Sequence, residues 1–314
     1  MKFSYHEDKR DGRLLDSLTD EANGLRIIVS RLGAELISVA RRTPTGEWIG
    51  FLYRDNDVTP PPQGWTNHAT VMGYYLHRLK NGRSLYRGHE IRGGNHSFLR
   101  SLTWHRFGEE NVENGCLIYR VTPNDFSPAD YPLNVSLELT YRLEPDGVTP
   151  IFRFVNDEDK VTAHVAFGLH PGFAATSFDS FEFQMPAGKY RRWFAPENFL
   201  SGETQPIDFG GGAMPFPREE LPGSFIIELV EVPARDFVFI DPPSGRRVTL
   251  DLTGVPYLTL WSDGGPFLCI EPCWGLTDRH EQRAFEAKDG IQTIPARGEL
   301  NAQCAIKPEL SSKG

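Results

Sequence analysis

The stretch Asn134-Val135-Ser136-Leu137-Glu138-Leu139-Thr140-Tyr141 alternates polar and apolar residues with a period of two. Successive side chains of an extended chain point to opposite faces, so this pattern describes a strand with one face in a core and one outside it. Outward from it, short β-rich runs recur: 116–121 and 149–155 flank it, 25–30 and 34–39 precede it, and 161–169, 181–185, 225–230, 236–240, 248–252, 257–261 and 267–271 follow. Turn signals separate them, as in Asp241-Pro242-Pro243-Ser244-Gly245, which reads as a hairpin turn. The 30 glycines and 24 prolines in 314 residues supply this punctuation and leave little room for long helices. The strands do not alternate with helical periods, which disfavours a parallel α/β fold. No repeat of 20–50 residues is present, which argues against a propeller or solenoid. The expected fold class is all-β: a large antiparallel β-sandwich with few short helices, in one domain spanning 1–314. Residues 1–23 are expected to be an N-terminal arm or an edge strand.

The formal net charge of −9 disfavours a phosphate-backbone binder, so no nucleic-acid partner is expected. The N-terminal residues carry no apolar core of a secretory signal, and no run approaches the ~18 apolar residues of a membrane span. Cys116, Cys269, Cys273 and Cys304 form no CxxC pair, so no metal site is expected and the thiols read as reduced. These features predict a cytoplasmic protein without a membrane partner.

Three segments carry residues suited to chemistry. The first runs from Gly73-Tyr74-Tyr75-Leu76-His77-Arg78 to His96-Ser97-Phe98-Leu99-Arg100 and Trp104. Arginine offers a rigid fork of donors to hydroxyls or carboxylates, and the faces of Phe98 and Trp104 suit the C–H face of a sugar. The bland alternative is surface ion pairing for the arginines and a core position for Trp104. The second is Gly168-Leu169-His170-Pro171-Gly172, in which a strand is expected to end at His170 before Pro and Gly break it. A histidine there has a pKa suited to proton transfer at neutral pH, or is simply structural. The third contains Trp261 and the run Phe267-Leu268-Cys269-Ile270-Glu271-Pro272. Glu271 closes an apolar run, and burial there would lift its pKa towards that of a general base; the alternative is a glutamate tied to a loop.

Together these segments resemble the aldose 1-epimerase (galactose mutarotase) family. Gly73 to Arg78 resembles its G-R-x-A-N-R segment, and His96-Ser97-Phe98-Leu99-Arg100 with Trp104 its H-G-F-A-R-x-x-x-W variant. Gly168 to Phe173 resembles the segment of the second histidine, and Phe267 to Asp278 the C-x-E-P-x-x-G-x-x-D signature. The similarity spans about residues 24–308. It implies a galactose mutarotase-like supersandwich, an isomerase of carbohydrate metabolism, no cofactor and no metal. His170 would be the general acid and Glu271 the general base, with Arg78, His96, His77, Trp104, Phe98 and Trp261 binding an aldose (hexose) substrate. His77, Tyr74 and Ser97 stand where the family has asparagine, arginine and glycine, and are expected to alter specificity. Mutual attraction is expected to lower the Glu271 pKa and raise that of His170. The alternatives are a hexose-6-phosphate mutarotase and a non-catalytic carbohydrate-binding sandwich. A monomer or homodimer is expected.

Overall fold

A computed structural model describes residues 2–215 and 217–311. The strand ladders run antiparallel, and helical structure among the described residues is confined to 3-10 turns of three to six residues. None is long and apolar enough to cross a membrane.

The alternating stretch lies in the strand Val135–Glu144, paired with Cys116–Val121 and Gly147–Asn156. Val135, Leu137, Leu139, Tyr141 and Leu143 are buried while the residues between them are half-buried. Each such aliphatic side chain contributes roughly 1.5–3 kcal/mol on burial. The strand belongs to a ten-stranded sheet that faces an eight-stranded sheet. Ala163–Ala174 crosses the middle of the second sheet, between Phe267–Trp274 and Ala69–Tyr74. The inner faces meet through rings. Phe152 and Phe154 lie 5.2 and 4.7 Å from Phe167, and Phe239 lies 5.8 Å from Phe173.

Residues 3–20 are built into a five-stranded meander. Phe3–Arg10 is its edge strand, and Arg13–Asp20 lies inside it, paired on both sides. The buried Asp16 carboxylate pairs with Arg31 and accepts a 2.8 Å hydrogen bond from the Tyr119 hydroxyl, tying the meander to the ten-stranded sheet. The expected hairpin turn joins Asp236–Asp241 to Arg246–Asp251. Gly245 takes φ 74°, which an L side chain rarely adopts, and its N–H donates to the Asp241 carbonyl at 3.0 Å.

One expectation is corrected. The strands do not end at His170 and Glu271 but continue through Pro171-Gly172 to Ala174 and through Pro272 to Trp274. The reason lies in the ladder between them. It pairs Phe167 with Trp274 and Gly168 with Cys273, then resumes only at Gly172 opposite Cys269. Both prolines fall in this opening, where their missing N–H groups break no ladder bond. The outer neighbours keep both strands extended, with His170 opposite Thr70 and Glu271 opposite Thr259. The proposed acid and base therefore sit in mid-strand, on rigid backbone.

Candidate active site

Alternation along these two strands separates a packing face from a polar one. Phe167, Leu169 and Phe173, with Leu268 and Ile270 opposite, join the main core. Gly168, His170 and Gly172, with Cys269, Glu271 and Cys273, share the other face. On that face the ladder opening brings the His170 Nε2 to 3.2 Å from the Glu271 Oε1. The pair forms the floor of a cleft of about 420 Å³ that His77, Arg78, His96, Arg100 and Trp261 also line.

Burial dominates the electrostatics of the floor. His170 and Glu271 are 6% and 1% exposed. Desolvation pushes the His170 pKa down to about 3, helped by His77 and Arg100, and lifts that of Glu271 well above the usual carboxylate range. Burial thus acts against the expected ion pair, since it disfavours the charged form of both groups. Burial likewise lowers His77 to about 4, with Lys288 and Arg78 adding to it, and lowers His96 well below the usual histidine range, with His170 adding to it. The three imidazoles cluster, His96 lying 5.1 Å from His170 and 5.4 Å from His77 between ring centroids. His77 Nε2, His96 Nδ1, His170 Nδ1 and Glu271 Oε2 have no hydrogen-bond partner. A concentration of buried, unsatisfied polar atoms is what a hydroxyl-rich ligand would relieve.

The loops around the floor are pinned. His77, His96 and Ser97 hold left-handed backbone at φ 53°, 61° and 66°, and the His96 N–H donates to the His77 carbonyl at 2.7 Å. Such conformations cost of order 1–3 kcal/mol each and persist where surrounding structure enforces them. Asp278 forms a buried pair with Lys288, accepts the Lys80 N–H at 2.7 Å, and donates its own N–H to the Arg78 carbonyl. This clamp fixes the backbone that carries Arg78. The guanidinium groups of Arg78 and Arg100 themselves meet no carboxylate among the described residues, and Glu271 is the one carboxylate lining the cleft.

Two expected sugar contacts lie elsewhere. Trp104 is 1% exposed, and its Nε1–H donates to the Leu99 carbonyl at 3.0 Å. Phe98 packs on Tyr74 and Phe126 at 5.4 and 4.8 Å. Neither lines the cleft. They underpin the loop that carries His96 and Arg100, because an apolar ring beneath a polar loop gains more from the core than from an open pocket.

Trp65 was not singled out in the sequence. It stacks on His170 at 5.2 Å and 27°, meets Trp261 edge-on at 6.0 Å, and its backbone N–H donates to the Asp263 carboxylate at 2.9 Å. A Cβ on Gly172 would stand 2.3 Å from its ring, so the glycine beside His170 makes room for this wall. The available signal was a lone aromatic in the polar loop Pro60-Pro61-Pro62-Gln63-Gly64-Trp65. Asn67, Thr70, Asn198 and Thr277 are among the further polar residues of the lining.

The arrangement offers one shared proton, donors for several hydroxyls, and aromatic walls. The aldose 1-epimerase family model matches residues 16–295. Among solved structures, a galactose mutarotase related enzyme from Lactobacillus acidophilus aligns at TM-score 0.80 and 21% identity, covering 99% of each chain. A galactose mutarotase-like protein from Lactobacillus casei aligns at 0.77 and 19%, covering 98% of this chain and 100% of its own. A galactose 1-epimerase from Lactobacillus acidophilus aligns at 0.69 and 12%, covering 99% of each. No curated protein matches the sequence. These structural likenesses fix the fold, and the match over nearly the whole chain fixes the kinship: the protein belongs to the aldose 1-epimerase family.

Proposed function

We propose that the protein interconverts the α and β anomers of an aldose by acid/base ring opening. The observation that carries this reading is the 3.2 Å approach of His170 Nε2 to Glu271 Oε1 on the floor of a polar cleft. A sugar bound over this floor meets the pair in the form with one proton on His170. Glu271 takes the proton of the anomeric hydroxyl, His170 donates its proton to the ring oxygen, and the C1–O5 bond breaks. This leaves Glu271 protonated and His170 neutral, which is the form that burial favours. Desolvation thus makes the carboxylate a stronger base and the imidazolium a stronger acid, and drives both transfers forward. Rotation about C1–C2 and reclosure by the reverse transfers deliver the other anomer, with no net proton consumed. Arg78, His96 and His77 hold hydroxyls, and Trp65 and Trp261 wall the ring. Polarimetry on freshly dissolved α-glucose and α-galactose tests the scheme: His170→Asn is expected to lose 10²–10⁴-fold, the usual range for an acid–base group. Full activity in that variant overturns the assignment.

A second reading concerns the substrate. Two guanidinium groups, Arg78 and Arg100, that meet no carboxylate among the described residues line the cleft, and they favour an anionic aldose, such as a hexose phosphate. A higher kcat/KM on glucose 6-phosphate than on glucose, lost in Arg100→Gln, would establish it. Equal rates on both would leave the neutral sugar as substrate.

A further inference from the structure

At and just beneath the floor of the cleft, two residues of the proposed sugar site, His77 and Glu271, meet a third donor, Cys273, that ring opening does not use. A ring nitrogen of His77, a carboxylate oxygen of Glu271 and the sulfur of Cys273 all lie within 4.8 Å of one another. Glu271 and Cys273 are two residues apart on one strand and so share its outer face, while His77 reaches over from the loop after Ala69–Tyr74. The three residues are 1%, 0% and 9% exposed. His77 Nε2 and Glu271 Oε2 have no hydrogen-bond partner, and the thiol is held only by a weak 3.9 Å contact to the Thr259 hydroxyl.

Thiolate, imidazole and carboxylate together suit zinc-like transition metals and not the all-oxygen preference of magnesium or calcium. Tetrahedral zinc with bonds of about 2.0–2.3 Å sets its ligands about 3.3–3.8 Å apart. Separations of up to 4.8 Å exceed that spacing, so binding would draw the three donors together. The fourth position would face the cleft, which His77 and Glu271 line. Two of the donors belong to this chain rather than to the family pattern: His77 replaces an asparagine, and Cys273 occupies an unspecified position of the C-x-E-P-x-x-G-x-x-D signature. No CxxC spacing announces the set, because the fold and not the local sequence assembles it.

We propose that His77, Glu271 and Cys273 form a transition-metal site for zinc-like cations, and that its occupation closes the active site by engaging the carboxylate that serves as base. Binding breaks the Cys273 S–H bond and forms a metal–sulfur bond. The thiol proton, and that of Glu271 where it is protonated, leave to solvent, and His77 donates its lone pair without losing a proton. The metal-binding part stands apart from the proposed sugar chemistry and is read without it.

The test is titration of the full-length, chelator-treated and reduced protein with cobalt(II), followed by displacement with zinc. One cobalt per chain is expected to give a thiolate-to-cobalt charge-transfer band in the near ultraviolet. Cys273→Ser should abolish that band, and His77→Asn should weaken cobalt binding at least about 10-fold, the lower end of what losing even a residue that only supports a ligand costs. Cys116→Ser, which alters a half-buried thiol outside the cleft, should change neither. Circular dichroism and melting establish that each variant is folded. Absence of a thiolate band in the wild type, a band that survives Cys273→Ser, or unchanged affinity in His77→Asn each overturns the proposal. Inhibition of anomer exchange by stoichiometric zinc, relieved by chelation, supports the second half, and full activity with the site occupied overturns it.

Discussion

The two faces of the central pair of strands are one residue apart and obey opposite rules. On the inner face, Phe167, Leu169, Phe173, Leu268 and Ile270 are buried against apolar partners. On the outer face, His170 and Glu271 are nearly as buried but lie among orphaned polar atoms. The inner face gains stability from burial, whereas the outer face uses burial to shift proton affinity. Because the same backbone serves both, the rigidity that the core confers is passed directly to the proposed acid and base.

Substitutions can break this division, beginning with the largest effect. Glu271→Gln removes the base but keeps the shape, and is expected to cut the anomerisation rate by 10²–10⁴ while leaving the melting temperature at or above that of the wild type. An unchanged rate would detach the outer face from catalysis. Leu169→Ala on the inner face should do the converse, lowering stability by about 2–5 kcal/mol in denaturant titrations while the folded fraction keeps its specific activity. Gly172→Ala sharpens the boundary. Its Cβ would stand 2.3 Å from the Trp65 ring, so Trp65 must leave its place on His170. Activity is expected to fall about 10-fold through misplacement of the wall, with a stability cost of about 1–3 kcal/mol from overpacking.

The smallest effect is in pH dependence. His77, His96 and His170 have folded pKa values below the unfolded 6.5, so the unfolded chain binds more protons as pH falls below that value. Stability contributed by their neutral forms should be complete above about 6.5 and decline on acidification, by up to about 1.4 kcal/mol per pH unit for each histidine. Glu271 acts in the opposite sense: its raised pKa favours the folded state at low pH, and that contribution is lost as pH rises through the folded value. His77→Asn should flatten the acid limb of a plot of melting temperature against pH. An unchanged limb would mean that His77 is not held neutral by burial.

The sequence disclosed the fold wherever one face of a strand was apolar and the other polar, as at Val135–Glu144. It also singled out His170 and Glu271, which the fold brings together in the cleft, because each stands out chemically beside an apolar run. Reading Pro171 and Pro272 as strand ends failed because a proline's effect depends on which neighbour its missing N–H would have met, and that is a property of sheet pairing. Trp104 and Phe98 were misplaced for a related reason, since an aromatic next to polar residues reads alike whether it lines a cleft or supports the loop beneath one. Trp65 was passed over because its partners, His170, Trp261 and Asp263, are more than 100 residues away. The sign of the pKa shifts was legible only once both partners were known to be buried.

The central claim is that the outer-face pair opens the sugar ring. It is tested most directly by exchange of magnetisation between the α and β anomer signals of equilibrated glucose and galactose, with wild-type protein and Glu271→Gln at equal concentration. The account predicts exchange well above the spontaneous rate with the wild type and a return to near the spontaneous rate with the variant. Equal exchange with both proteins would contradict it.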